Sequence, residues 1–267
     1  MNRRLSLLVV VIFSLYSCHR SAPKNSGATT TKDTLVYTYK VVKQRASDCG
    51  DKPDTSCTVA KVTYPFFPDQ KVLNDTVVKR LLIAYYTGDK PDSSLQQQTQ
   101  KFIQFYNYDT TRNADHPNVF YTLESSATVV RQDSSLITLQ IDRYTYDGGA
   151  HGSDYTGFIN WDTGANKKIE LGDILSPGNE ENLRAIAEKN FRKQEKLSDT
   201  GSFTNYSFKG RKFALNNNFL VTPIGISFLY NEYEIKPYSE GQTTLLIPYM
   251  QIKSLLRTNT VISQYIR

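Results

Sequence analysis

Nine residues near the middle of the chain, Tyr144-Thr145-Tyr146-Asp147-Gly148-Gly149-Ala150-His151-Gly152, concentrate the groups that could do chemistry. They hold three glycines, one of the three histidines, two tyrosines and a carboxylate. An imidazole that titrates near neutral pH beside flexible backbone suits an acid or base, a ligand contact or a tight turn, and the residue types leave all three open. As an enzyme, the stretch would use His151 with Asp147 or Asp154, which lie on opposite arms of a hairpin. Strands about 4.8 Å apart would bring those carboxylates within reach of acid/base work. No nucleophile motif accompanies them: Gly-x-Ser-x-Gly, His-Glu-x-x-His, the phosphate loop and the dinucleotide glycine fingerprint are absent. Three histidines far apart predict no zinc site, and no cofactor is implied.

Two readings compete with catalysis. As a binding module, Tyr144, Tyr146 and Trp161 would surround a rigid turn built from Asp147, Gly148, Gly149, His151 and Asp154, and would stack on sugars or anchor a protein. As a plain hairpin loop, Gly148, Gly149 and Gly152 would take positive φ while His151 and the tyrosines bond the backbone.

The elements that must position this stretch follow from periodicity. Leu35 to Arg45 and Ser56 to Phe67 are rich in β-branched and aromatic residues and predict two strands. Cys49 and Cys57 lie in the polar loop between them, and a disulfide there predicts a clasped hairpin. From Lys71 to Tyr86 the apolar residues Val77, Val78, Leu81, Leu82 and Tyr85 recur at helical spacing, with Thr87-Gly88 as a stop. A second helix is expected from Ser93 to Tyr108, capped by Asp92, with Leu95, Thr99, Phe102, Phe105 and Tyr106 on one side. Residues 107–118 then form a loop that exposes His116.

Val119 to Arg131 and Ser135 to Tyr146 read as neighbouring strands. In the second, Ile137, Leu139 and Ile141 alternate with Thr138, Gln140 and Asp142. Tyr155 to Trp161 returns, so Asp147 to Asp154 caps a hairpin, and a short strand follows at Lys168 to Leu171. Ser176-Pro177 predicts a helix start, with Glu180 and Glu181 at its positive end and Leu183, Ile186, Ala187 and Phe191 as its buried stripe. Strands are expected at Phe213–Leu215, Asn218–Thr222, Ile226–Tyr230 and Thr243–Pro248, and a closing helix at Met250–Leu256.

Ahead of this body, Arg3 and Arg4 precede an apolar run from Leu5 to Tyr16, too short for the roughly 20 residues of a membrane crossing; it reads as a signal peptide. Leu15-Tyr16-Ser17-Cys18 resembles the lipobox of bacterial lipoproteins, which makes Cys18 the expected lipidation site and membrane anchor. The polar residues 19–33 suit a flexible tether. Losing Arg3 and Arg4 with the leader lowers the formal charge from +6 to +4, and the basic residues look scattered, no pure run being longer than a pair such as Lys167-Lys168. That balance predicts no nucleic-acid partner.

With these pieces placed, the chain resembles the PdaC/RsiV-like family of extracytoplasmic bacterial proteins, which pair a deacetylase-associated N-terminal module with a C-terminal domain of unknown function. The resemblance rests on Tyr146 to Gly152, Asn160-Trp161-Asp162, Leu171 to Leu175, Thr222 to Phe228 and Tyr233 to Tyr238 with Gly241, and more weakly on Tyr64-Pro65. It implies an α+β fold of antiparallel sheets with helices packed on one face, in two intimately packed modules: 34–130 and 131–267, behind a leader (1–17) and a tether (18–33). It supplies no activity. With no cytoplasmic segment and no metal-dependent deacetylase domain, neither a sigma factor partner nor deacetylation is expected. The resulting expectation is a lipid-anchored, non-catalytic envelope protein that binds peptidoglycan or a lysozyme-like protein; a wall-polysaccharide hydrolase and a purely structural lipoprotein are the alternatives.

Overall fold

A computed structural model describes residues 34–83, 90–112 and 119–266. The leader, Cys18, the tether, Tyr85 to Gly88 and His116 lie outside the described residues. The fold is α+β, with one six-stranded and one three-stranded sheet.

The first sheet runs in sequence order from β1 to β6: β1 (Thr38–Arg45), β2 (Val59–Phe66), β3 (Thr122–Asp133), β4 (Leu136–Tyr146), β5 (Ser153–Asp162) and β6 (Lys167–Lys168). All neighbours are antiparallel except β2 and β3, which run parallel. The departure has a physical cause: α1 (Lys71–Leu81) and α2 (Leu95–Arg112) lie between those strands in the chain, and a helical crossover returns the chain in the same direction. The expected disulfide joins Cys49 to Cys57 in the β1–β2 connection, with 5.3 Å between their Cα atoms.

The alternation in β4 is realised. Ile137, Leu139 and Ile141 are buried in one core with Val62, Leu73, Val77, Ile159 and Trp161, so α1 covers this face. The opposite face is buried at Leu136 and Thr138 and opens to solvent towards Tyr144. Leu136 on that face packs into the core of the second sheet, β7 (Phe219–Val221), β8 (Gly225–Tyr230) and β9 (Thr243–Pro248), all antiparallel. Asparagines join the two layers. The Asn160 side chain donates to Phe219 O (2.8 Å) and accepts from Val221 N (2.9 Å). Asn231 accepts from Thr156 N (2.7 Å) and donates to Thr156 O (3.0 Å), and Asn218 bonds Phe158 N and Thr156 O. The Asn231 and Asn218 amides satisfy β5 backbone groups that β6 is too short to pair, and the Asn160 amide satisfies groups of β7. A second core gathers Leu183, Ala187 and Phe191 of α4 (Glu180–Gln194) with Phe203, Phe208, Phe213 and the inner face of β7–β9.

Several boundaries differ from expectation. α1 stops at Leu81 because Leu82 is extended. α2 starts behind Ser94, whose hydroxyl accepts from Gln97 N, and not behind Asp92, which is buried and paired with Lys101. That helix continues to Arg112, and Phe105 is exposed. Leu171 leaves the sheet for α3 (Leu171–Ile174), set by a capping box between Glu170 and Asp173. Ser176-Pro177 forms a turn with Gly178 at φ 81°, incompatible with a right-handed helix, so α4 starts two residues later. Phe213 to Leu215 is not a strand, because Phe213 is drawn into the phenylalanine cluster. The closing helix is α5 (Tyr249–Ile252), followed by a 3-10 turn over Lys253–Leu255.

At the β3–β4 end, Leu35 N donates to the Gln132 side chain and Gln132 donates back to Leu35 O, both at 3.1 Å. The start of the described chain is thereby fastened at the opposite end of β4 from Tyr146.

Candidate functional site

β4 and β5 pair from Leu136↔Asp162 to Thr145↔Ser153, which leaves Asp147 to Gly152 as the loop. Of its three glycines only Gly148 has positive φ (88°); Gly149 and Gly152 do not, contrary to expectation. What Gly152 supplies is room: a Cβ there would meet the Tyr144 ring at 2.3 Å. Gly148 does both, because a Cβ would also stand 2.8 Å from the ring of Tyr121.

His151 is exposed on the loop and held at both nitrogens. Nδ1 lies 2.7 Å from Gly152 O, and since a carbonyl only accepts, Nδ1 carries the proton. Nε2 is then the acceptor for the Tyr233 hydroxyl at 3.2 Å. The ring stacks on Tyr238 (centroids 4.0 Å, planes 19° apart), and Tyr238 stacks in turn with Tyr233 (5.6 Å, 27°). Tyr233 is 60% exposed and sits at φ 62°. A left-handed non-glycine residue costs about 1–2 kcal/mol. Its turn is held by Glu234 N bonding Asn231 O and by Asn231 N bonding the Glu234 carboxylate.

Burial first, then the charges of Glu232 and Asp154, raise the pKa of Tyr238, which keeps its hydroxyl protonated. Glu232 Oε2 is buried and unbonded among the described residues. Asp154 stands opposite Tyr144 in register. Tyr146, two residues on, is half-buried on the same strand face as Tyr144.

Asp147 belongs to different surroundings. With Gly148 and Gly149 it lines a cleft of about 420 Å³ against Phe105, Asp109 and Tyr121. The Tyr121 hydroxyl donates to Asp109, and burial first, then that bond, push the Tyr121 pKa far up, with the charge of Asp147 adding to the effect. Asp147 and Asp154 therefore face different tyrosines, and neither bonds His151.

Trp161 is a correction. It is 1% exposed in the core under α1 and has no surface to offer a ligand, because it sits on the inward face of β5 opposite Ile137. The residues that replace it, Tyr233 and Tyr238, are more than 80 positions from the glycine loop. The signal for them was the aromatic pair bracketing Tyr233-Glu234-Ile235-Lys236-Pro237-Tyr238. Among the described residues no group of three or more His, Cys, Asp or Glu is arranged to hold a metal.

Residues 52–154 match the family described as "Deacetylase PdaC", and residues 172–250 match "Protein of unknown function (DUF3298)". The chain joins a PdaC-like module to a DUF3298 domain. The ring cluster is shared between them: His151 and Asp154 fall in the PdaC-like segment, Tyr233 and Tyr238 in the DUF3298 segment. A DUF3298 family protein from Pseudomonas aeruginosa PAO1 is similar in structure, with TM-score 0.67 at 25% identity over 85% of this chain and 96% of that one. A DUF3298 family member from Bacteroides fragilis has the same fold, with TM-score 0.67 at 23% identity over 88% and 99% of the two chains. No curated protein matches the chain.

Proposed function

We propose that this protein is a lipid-anchored cell-envelope protein that binds a cell-wall glycan at the His151–Tyr238–Tyr233 cluster without turning it over. The observation that carries the reading is the set of near-parallel rings, exposed at Tyr233 and His151, with the carboxylates of Asp154 and Glu232 beside them. Ring faces stack on the C–H faces of sugars, and carboxylates accept from hydroxyls. The left-handed Tyr233 supports a binding role, since strain held at an exposed aromatic is a feature of ligand sites. For a hydrolase built on His151 with Asp147 or Asp154, the separate settings of the two acids argue against a working pair. A lysozyme-like protein would meet the same rings and is the second ligand to try. Cys18 would hold the chain to the membrane, and Cys18→Ser should release it to the soluble fraction.

The test is co-sedimentation of the full chain with purified peptidoglycan, alongside His151→Ala and Tyr233→Ala. Losing one stacking partner at about 0.5–1.5 kcal/mol should weaken retention by up to roughly tenfold. Thermal stability should barely change, because both side chains are exposed. Unaltered retention in both variants, or failure of the parent chain to bind either peptidoglycan or lysozyme, would sink the reading.

A further inference from the structure

A cleft of about 660 Å³ opens between α4 and the chain that follows it. Its lining carries five basic and two acidic residues. Arg184 and Arg192 on α4 are already matched: Arg184 pairs with Glu181 and Glu188, and Arg192 with Glu188. The other three cations, Lys209, Arg211 and Lys212, are exposed and have no acidic partner among the described residues. They come from one turn, Lys209-Gly210-Arg211-Lys212, in which Gly210 hides a basic cluster from any count of uninterrupted runs.

The backbone of this turn is unusual. Gly210 and Arg211 are both left-handed, at φ 65° and 56°. Glycine adopts that region freely, whereas arginine does so against steric resistance. Buried Phe208 and Phe213, anchored in the aromatic core on either side, hold the turn in place. Strain kept at an exposed, unpaired cation and imposed by the core points to function at that residue.

We propose that this cleft binds a polymer bearing oxyanions, phosphate or carboxylate groups spaced along a chain. Three uncompensated charges on one wall exceed what a single small anion neutralises, and the open volume admits several groups. The guanidinium supplies a planar fork and the two ammonium groups supply point charges, a mixture suited to oxyanions. The site is separate from the ring cluster and does not depend on it.

The full chain should be titrated with inorganic polyphosphate and with poly-glutamate at low and high salt. Saturable binding to at least one is expected, weakening at high salt; which polymer binds tells whether phosphate or carboxylate is the natural group. Lys209→Ala/Lys212→Ala should lower affinity at least tenfold. Lys167→Ala/Lys168→Ala, which removes the same charge where it is paired with Asp173 and Glu170, should change it less than twofold. Arg211→Gly should weaken binding severalfold while raising the melting temperature, because it relieves the left-handed arginine. Binding of neither polymer, equal losses from the two lysine pairs, or a destabilised Arg211→Gly with undiminished affinity would overturn the proposal.

Discussion

The ring of Tyr144 lies over Gly152 so closely that a methyl group on that glycine would stand 2.3 Å from the ring's Cε2 atom. Tyr144 is a partly exposed side chain with room to swing outward, whereas Tyr121, above Gly148, is buried and bonded to Asp109. Alanine at the two glycines should therefore act differently. Gly148→Ala combines φ 88° with a fixed ring and should cost about 2 kcal/mol or more of stability. Gly152→Ala should cost under about 1 kcal/mol but displace Tyr144. Urea denaturation of both variants measures the difference, and equal losses would contradict it.

Asn160 is 2% exposed and bonds both a carbonyl and an N–H of β7. Asn160→Leu should leave Phe219 O and Val221 N buried without partners, at about 1–3 kcal/mol each. The expected result is a loss of roughly 2–5 kcal/mol in denaturant unfolding. Asn160→Asp keeps the acceptor for Val221 N but sets an oxygen against Phe219 O in the buried site, and should lose at least as much.

The Cys49–Cys57 bridge closes a short loop, for which chain entropy gives about 2.6 kcal/mol. A Cys49→Ala/Cys57→Ala chain should lose stability of that order. Asp48, directly before the bridge, accepts from the Tyr106 hydroxyl at 2.8 Å. Hydrogen exchange in the middle of α2 should accordingly quicken, while that of α4 should not.

Asp133 accepts from Arg131 and from Tyr265 (2.7 Å), and these bonds, Arg131 first, hold its carboxyl below the usual range against the opposing effect of burial. A lowered folded pKa means stability that is present above the unfolded value, about 3.9, and lost as pH falls through the folded one. Tyr265→Phe keeps the stack on Tyr249 but should remove about 1 kcal/mol at pH 7. Thermal melts from pH 6 to 2 should show the gap between parent and variant narrowing below about pH 4.

Much of this was readable in advance where local pattern and burial agree. The period-two alternation of Ile137, Leu139 and Ile141 placed the right face of β4 inward, and the glycine loop emerged between the strands predicted for it. Sequence reasoning failed where partners are distant. Trp161 alternates as a core residue, yet a lone tryptophan near a turn equally suits a ligand contact, and spacing alone does not separate the two roles. Tyr233 and Tyr238 meet His151 only because asparagines hold the turn carrying them to β5, and nothing in one-dimensional spacing encodes that bridge. The same holds for Asn160 on β5: it is polar because its amide serves β7, not because it meets water.

The clamp between Leu35 and Gln132 gives β4 a mechanical meaning. Nine residue steps from Ile137, the partner of Gln132, to Tyr146 at about 3.4 Å each set the loop end of β4 roughly 31 Å from the clamp. Along that span β4 is hydrogen-bonded to β3 on one edge and β5 on the other, so the sheet fixes the separation between the clamp and the loop end.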